Sequence, residues 1–254
     1  MKKALLTTSF IALFASPVMA DTVAGLYVGG QGWQTETSGS FADNNSMANF
    51  NFEDETNTAI YAAVEHPLPF IPNVKINHTS LDSKGDTTLQ SDFTFNDNTY
   101  TANTTVATVS DLTTTDFILY YELFDNDLVS FDVGLNGKYV DGILSVASLA
   151  TDEEPAVEGR REFSGVVPML YSRVQVGLPF TGLAAYAEGS YLSVDDHKLS
   201  DFQVALAYSF IDSIAVDMTA QLGYRRVNVD IEDLDDVYAD MKFDGAFAGL
   251  EIHF

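Results

Sequence analysis

Long runs of strictly alternating apolar and polar residues restrict the fold of this chain more than any other feature. One run covers 128–142, with Val, Phe, Leu and Tyr at every second position and Ser, Asp, Asn and Lys between them; 202–210 and 214–225 follow the same rule. Alternation with period two puts apolar and polar side chains on opposite faces of a β-strand. Strands of soluble sheets usually have about 5–6 residues, whereas these runs reach the ~9–11 that a tilted strand needs to cross a bilayer. The pattern therefore predicts membrane-spanning strands.

The first twenty residues have the composition of a signal peptide. Met1-Lys2-Lys3 supplies positive charge, residues 4–15 are apolar, and Val18-Met19-Ala20 supplies small residues for cleavage. We expect residues 1–20 to be the signal peptide and residues 21–254 to be one barrel. Beyond residue 20 no apolar stretch approaches the ~20 residues of a membrane-spanning helix. A spanning chain of this kind must close into a barrel, because every backbone polar group in lipid needs a partner.

The predicted fold is all-β, a transmembrane antiparallel up-and-down β-barrel of about ten strands, with eight or twelve as alternatives. The strands are expected near 23–35, 56–66, 73–82, 112–124, 128–141, 163–177, 182–194, 201–211, 214–229 and 243–254. Short connections at 66–72, 124–127, 177–182 and 211–213 alternate with longer ones at 36–55, 83–111, 142–162, 195–200 and 230–242. That asymmetry is typical of tight periplasmic turns and larger extracellular loops.

Two local patterns accompany the strands. Aromatic residues at strand ends are expected to form girdles at the membrane interfaces; they are Trp33, Tyr121, Tyr139, Tyr191, Tyr208, Phe210, Tyr224 and Phe254. The sequence Leu-Pro-Phe occurs at 68–70 and again at 178–180, both times in a predicted periplasmic turn. We interpret the repetition as reuse of one turn chemistry, because proline fixes φ and cannot extend a ladder of hydrogen bonds.

The mature chain is strongly acidic. Without Lys2 and Lys3, 10 Lys and Arg stand against 37 Asp and Glu, a net charge of −27, which disfavours nucleic acid as a partner. Acidic residues crowd one predicted outer loop and are weak candidate ligands for Ca²⁺ or Mg²⁺, which prefer oxygen donors; they are Asp230, Glu232, Asp233, Asp235 and Asp236. Their spacing is not that of an EF-hand, and a solvated loop is the alternative interpretation. No other cofactor is expected.

Charged residues of both signs occupy the positions that would face the lumen. They are Glu65, Lys75, Asp116, Glu122, Asp132, Lys138, Arg173, Glu188, Asp217, Arg225 and Glu251. About ten strands enclose a narrow interior, far from the 16–18 strands of barrels with a wide aqueous channel. We therefore expect these charges to pair across a packed interior, and a narrow channel for small ions is the alternative.

A catalytic set is not evident in the sequence. The most suggestive cluster is Asp195-Asp196-His197 in a predicted outer turn. Adjacent side chains on a strand point to opposite faces, so three consecutive residues do not converge on one substrate. We expect that the protein is not an enzyme.

Several short motifs resemble a proteobacterial outer-membrane β-barrel family named for a Gly-Gly pair near the mature amino terminus. They are Ala24-Gly25-Leu26-Tyr27-Val28-Gly29-Gly30, Pro67-Leu68-Pro69-Phe70-Ile71-Pro72-Asn73, Tyr120-Tyr121-Glu122-Leu123, Val133-Gly134-Leu135-Asn136 and the terminal Phe254. The resemblance implies a barrel in the cell outer membrane and no particular activity. The expected partners are outer-membrane lipid, lipopolysaccharide and, during biogenesis, the barrel assembly machinery, with the protein itself a monomer.

Three functions remain open at this point. The first is a structural or interaction barrel with acidic extracellular loops. The second is a narrow channel or carrier for small or cationic solutes, and the third is an outer-membrane hydrolase.

Overall fold

The computed structural model describes residues 24–44, 46–126, 128–148, 156–194, 197–213, 215–234 and 237–254, without the side chains of residues 194, 197, 233 and 234. The expected signal peptide lies outside the described residues. The strands are β1 (Gly25–Ala42), β2 (Ala48–Asn51), β3 (Glu55–Glu65), β4 (Asn73–Ser80), β5 (Ser83–Thr88), β6 (Phe93–Phe95), β7 (Asn98–Tyr100), β8 (Thr105–Asp125), β9 (Val129–Ser148), β10 (Glu158–Leu178), β11 (Leu183–Val194), β12 (His197–Asp212), β13 (Asp217–Leu234) and β14 (Val237–His253).

Ten antiparallel strands close into an up-and-down barrel, as predicted. The order around the wall is β1, β3, β4 and then β8 to β14 in sequence order. β5 continues the line of β4 along β8, so the two count as one wall strand. The barrel closes where β14 pairs with β1, from Tyr27 opposite His253 to Ala42 opposite Tyr238. Among the residues that the structure describes, no helix is long and apolar enough to cross a membrane.

The start of β1, the end of β14 and the tight turns lie at one end of the barrel, which we call the terminal end. The connections there, at 66–72, 126–128, 179–182 and 213–216, match the predicted short turns. Phe70 and Phe180 each follow a proline and adopt left-handed backbone conformations, with φ of 70° and 65°. In both copies of the Leu-Pro-Phe sequence the phenylalanine thus adopts a left-handed conformation.

The strands extend much further beyond the opposite end than the sequence analysis predicted. β8 and β10 each contain 21 residues. At about 3.3 Å per residue and a tilt near 40°, such a strand rises roughly 50 Å, well above the ~30 Å of a hydrocarbon core. Most of the expected loops 36–55, 83–111, 142–162, 195–200 and 230–242 are therefore strand. Backbone pairing continues outside the membrane because an exposed strand edge would leave its polar groups without partners.

The outer surface near the terminal end is a continuous apolar belt. Large apolar side chains point outward from every wall strand of this belt, as lipid contact requires; examples are Leu26, Ile60, Ile76, Leu119, Leu135, Leu170, Leu183, Leu206, Leu222 and Leu250. The alternation predicted for β9, β12 and β13 is confirmed. The prediction that Trp33 belongs to an interfacial girdle is wrong, because its side chain is fully buried in the lumen.

Above this belt the polar and apolar faces of the wall exchange places. On β13, Leu222 and Tyr224 face outward while Arg225 faces the lumen; higher up, Val227 and Val229 face the lumen instead. β9 and β14 change in the same way. The reason is that the exterior medium changes from lipid to water, so the apolar side chains are stabilised inside the barrel.

Candidate functional site: the barrel lumen

The lumen contains three zones stacked along the barrel axis. The vestibule at the terminal end is a polar cavity of about 180 Å³. Above it lies the charged layer, formed by Lys75, Asp116, Lys138, Glu188, Asp201 and Arg225. The apolar layer fills the half opposite the terminal end and includes Phe41, Phe50, Phe93, Phe95, Tyr100, Val106, Val146, Met241 and Phe243.

One half of the charged layer is a chain of ion pairs built on Asp201. Lys138, which is 1% exposed, lies 2.8 Å from Asp116 and 3.1 Å from Asp201. Arg225 approaches the same Asp201 carboxylate with Nε at 2.9 Å and Nη2 at 2.7 Å. Asn136 donates to the same Asp116 oxygen, Oδ1, at 2.6 Å. Two cations thus share two carboxylates, so these buried charges balance.

The other half of the charged layer is centred on Glu188. Lys75 forms an ion pair with this carboxylate and lies 4.8 Å from the centre of the Tyr61 ring. The Tyr171 hydroxyl donates to Glu188 at 3.1 Å, and Arg173 approaches it from the vestibule side at 3.9 Å. Within the charged layer Lys75 is therefore matched by Glu188, whereas Arg173 belongs to the lining of the vestibule. The predicted pairing of lumen charges is therefore confirmed for this layer.

Trp33 separates the charged layer from the apolar layer. The Arg225 guanidinium lies 5.1 Å from the centre of the Trp33 ring, a cation–π contact. Beyond Trp33 the interior is filled by wall residues together with β2 and the β6–β7 hairpin. A cavity of about 40 Å³ remains within the charged layer, and neither it nor the vestibule is lined by a residue of the apolar layer.

The vestibule walls carry tyrosines and an excess of carboxylates. The Tyr61 hydroxyl donates to Glu251 at 2.6 Å, and the Tyr120 hydroxyl donates to Glu65 at 2.7 Å. Other lining residues are Tyr27, Glu122, Asp125, Asp132, Tyr171, Arg173 and Gln175. Water at the terminal end reaches this zone, since Glu122 is exposed and Glu65 and Glu251 are partly exposed.

Carboxylates on the outer surface above the belt form a second acidic region. Partial burial and the neighbouring Asp111, followed by Glu55, raise the pKa of Asp82 above its ordinary value. Two residues further along the chain, Lys84 on β5 forms a 2.9 Å ion pair with Glu55, and this hydrogen bond raises the pKa of the lysine. Like charges thus face one another across the start of β5.

The acidic loop proposed as a cation site is only partly described. Asp230 is half-buried on β13 and Glu232 is exposed, whereas the Asp233 side chain, Asp235 and Asp236 lie outside the described residues. Within the part of the chain that the structure describes, no three acidic or histidine side chains lie close enough to hold a metal ion. Calcium or magnesium binding in this loop stays a prediction. The same holds for a role of His197, whose side chain is not among those described.

Sequence reasoning missed some lumen residues and misplaced one. Asp201 was not predicted to face inward, although it has the same parity as Gln203 and Ala205 on β12. Asp217 was predicted to pair inside the lumen, yet it lies at the end of β13 and forms a 3.4 Å pair with His253. Alternation along a strand identifies the face on which a residue lies but not its position along the barrel axis. That position decides which side chain it contacts across the lumen.

The fold and the filled lumen define the class of this molecule: a transmembrane antiparallel β-barrel of ten strands. It is similar in fold to the transport unit of the autotransporter AIDA-I from Escherichia coli, with a TM-score of 0.43, 9% identity, and coverage of 94% of this chain and 92% of that one. It is also similar to the outer membrane protease OmpT from Escherichia coli, with a TM-score of 0.47, 10% identity, and coverage of 91% and 96%.

A third similar structure is the toluene transporter TodX from Pseudomonas putida, with a TM-score of 0.29, 6% identity, and coverage of 92% of this chain and 90% of that chain. At such identities the likeness concerns the fold alone. No model of a known protein family matches the sequence, and no curated protein matches it. The resemblance to the Gly-Gly family therefore stays a prediction.

Proposed function

We propose that this protein is an outer-membrane β-barrel with a closed lumen that acts as a structural or interaction protein. In this proposal the barrel carries a folded, acidic extracellular part and has no enzymatic activity. The observation that supports it best is the filling of the lumen by two different zones in series, the charged layer and the apolar layer. Placement in the outer membrane is supported by the apolar belt.

The two zones disfavour a channel for separate physical reasons. Buried ion pairs with matched charge hold each other in place, and removing one partner typically costs about 3–5 kcal/mol. An apolar zone packed with aromatic rings offers an ion no replacement for its hydration shell. A solute would have to disrupt both zones to cross the barrel.

The extracellular part is the surface on which the proposal places interactions. Outward carboxylates there include Glu36, Asp82, Asp86, Asp111, Asp141 and Glu162. We expect them to face lipopolysaccharide and its bound cations, or a basic partner, because a surface of this charge repels anionic partners. A monomer of the Gly-Gly family inserted by the assembly machinery is the expected biological form.

Planar-bilayer recordings of the refolded mature protein test the closed lumen. We expect no stepwise conductance in molar KCl, under conditions where a wide porin gives clear steps. The double variant Lys138→Ala with Arg225→Ala weakens the charged layer but leaves the apolar layer intact, so it is expected to stay closed as well. Reproducible single-channel steps in the wild-type protein would refute the proposal, provided that the heat-modifiable gel shift shows a folded barrel.

A further inference from the structure

Three carboxyl groups converge in the vestibule on β3, β8 and β9. Glu65 and Glu122 line the same cavity, and Glu122 lies directly opposite Asp132 in the pairing of β8 with β9. Carboxylates that face one small cavity repel each other unless a proton or a cation lies between them. Like charges directly opposite on neighbouring strands are destabilising in the same way.

Asp132 supplies an independent sign that a positive group is accommodated here. The residue is 6% exposed, it lines the cavity, and its Oδ1 atom has no hydrogen-bond partner. A buried polar atom without a partner is costly, and in native proteins it calls for an explanation such as a bound water or ion. The Arg173 guanidinium, on the neighbouring strand, donates to Gln175 and approaches Glu188 instead.

The charge of the vestibule is also unbalanced. Lys75 is matched by Glu188 in the layer above. The other carboxylates of the lining are five, on Glu65, Glu122, Asp125, Asp132 and Glu251, against the single guanidinium of Arg173. The charged layer, by contrast, contains equal numbers of cations and carboxylates. The excess negative charge is therefore a property of the vestibule and favours a cationic guest.

The shape and lining of the cavity favour an organic cation over a metal ion. Among the described residues, no three acidic or histidine side chains are close enough to hold a metal. The volume of about 180 Å³ exceeds by far the ~10–15 Å³ that one water needs. Tyr27, Tyr61, Tyr120 and Tyr171 are among its lining residues. Aromatic side chains suit the methylene chain and the ammonium group of an alkylamine.

We propose that the vestibule is a binding site for a small aliphatic amine that enters from the terminal end. Its ammonium group lies between Glu122 and Asp132, and its alkyl chain lies against the tyrosine rings. The site is open on one side only, because the charged and apolar layers close the lumen above it. Bound amine neutralises the carboxylates that the fold places together there.

Isothermal titration of the refolded mature protein with putrescine tests the site. The measurement is made in about 150 mM salt, where a Debye length of ~8 Å screens diffuse attraction to the acidic surface. We expect saturable binding at one site. The isosteric variants Glu122→Gln and Asp132→Asn should each weaken binding by roughly 10- to 100-fold, the range for a hydrogen bond to a charged group.

Matched controls separate this site from surface charge. Glu162→Gln removes an exposed extracellular carboxylate and should leave putrescine binding unchanged. The uncharged analogue 1,4-butanediol should not bind. The proposal is overturned if putrescine does not bind, or if 1,4-butanediol binds equally well. It is also overturned if Glu162→Gln weakens binding as much as Asp132→Asn does. Displacement of bound putrescine by MgCl₂ at a concentration below that of putrescine would likewise overturn it. None of these outcomes depends on the conductance of the barrel.

Discussion

At the residue scale, the two glycines of the Gly-Gly pair have different surroundings. A methyl group on Gly29 would collide with the ring of Tyr61, whereas one on Gly30 would have its nearest neighbour, the Ala59 carbonyl oxygen, at 3.7 Å. The Tyr61 ring cannot move aside freely, since its hydroxyl donates to Glu251 and accepts from Gln221. Gly29 is thus needed for close approach, and Gly30 is not.

Alanine at these two positions should therefore have unequal effects. We expect Gly29→Ala to lower the free energy of unfolding by roughly 1–3 kcal/mol, as overpacking does, and Gly30→Ala to change it by less than about 0.5 kcal/mol. Urea unfolding of refolded protein, followed by the fluorescence of Trp33, the single tryptophan, measures both. Equal losses in the two variants would contradict the assignment.

Also at the residue scale, Asp82 makes stability depend on pH. Because the pKa of Asp82 is raised on folding, the unfolded chain releases this proton first as pH rises. Stability therefore falls as pH increases from the unfolded value of 3.8 through the folded value. Below pH 3.8 both the folded and the unfolded protein hold this proton, so the charge repulsion that lowers stability is absent.

Replacing the carboxyl should remove this penalty. At pH 7 we expect Asp82→Asn to be more stable than the wild type by roughly 0.2–1 kcal/mol, the range for cross-strand charge pairs, and the gain should vanish near pH 3. Asp86→Asn is the control, since Asp86 faces Ala107 across the strands. Urea midpoints at several pH values provide the measurement, and a gain that persists at pH 3 would argue against the repulsion.

At the scale of elements, the β6–β7 hairpin closes the end of the lumen opposite the terminal end. Asn96 and Asp97 at its tip have φ of 50° and 62°, the pair of positive φ values that a tight two-residue hairpin turn requires. Phe95 is fully buried, and the Tyr100 hydroxyl donates to the Val146 carbonyl at 2.8 Å. The hairpin is therefore part of the apolar layer.

Truncating its buried aromatic side chain should release the hairpin. Phe95→Ala is expected to cost roughly 3–5 kcal/mol, as for other buried phenylalanines, and to expose residues 89–104 to proteinase K. Thr94→Ala changes an exposed neighbour and should leave cleavage as in the wild type. Mass spectrometry of timed digests locates the cuts. Equal protection of Phe95→Ala and wild type would show that the hairpin is held by other contacts.

At the scale of the whole molecule, the barrel has three bands that differ in access. The terminal end faces the periplasm in our proposal, the apolar belt faces lipid, and the tall opposite end faces the medium. The chain contains no cysteine, so a single introduced cysteine reports on one position only. Lys84, Leu170 and Asp212 are exposed residues, one in each band.

Labelling of intact cells with a charged maleimide should distinguish the bands. We expect Lys84→Cys to react at once, Asp212→Cys to react only after the outer membrane is permeabilised, and Leu170→Cys to react in neither case. The intact mass of the purified protein should equal that of a chain that begins at Asp21. Rapid labelling of Asp212→Cys in intact cells would reverse the proposed orientation.

The sequence alone determined the strand pattern of this protein. Alternation of apolar and polar residues is a local property, and it predicted ten long strands, their lipid-facing sides and the short turns. The same reasoning placed most lumen charges inside, including Lys138 and Arg225. It failed for Trp33 and Asp201, which lie at the level where the outer face of the wall changes from apolar to polar and the inner face from polar to apolar.

Only the tertiary structure decided how the lumen is filled. Lys75 meets Glu188 across 113 residues of sequence, and Gln31 meets Gln203 across 172, so these partners depend on barrel closure and strand tilt. The height at which lipid gives way to water then decides which face of each strand is apolar. Both facts belong to the assembled barrel and its surroundings, which is why local periodicity predicted the wall and the tertiary structure determined its contents.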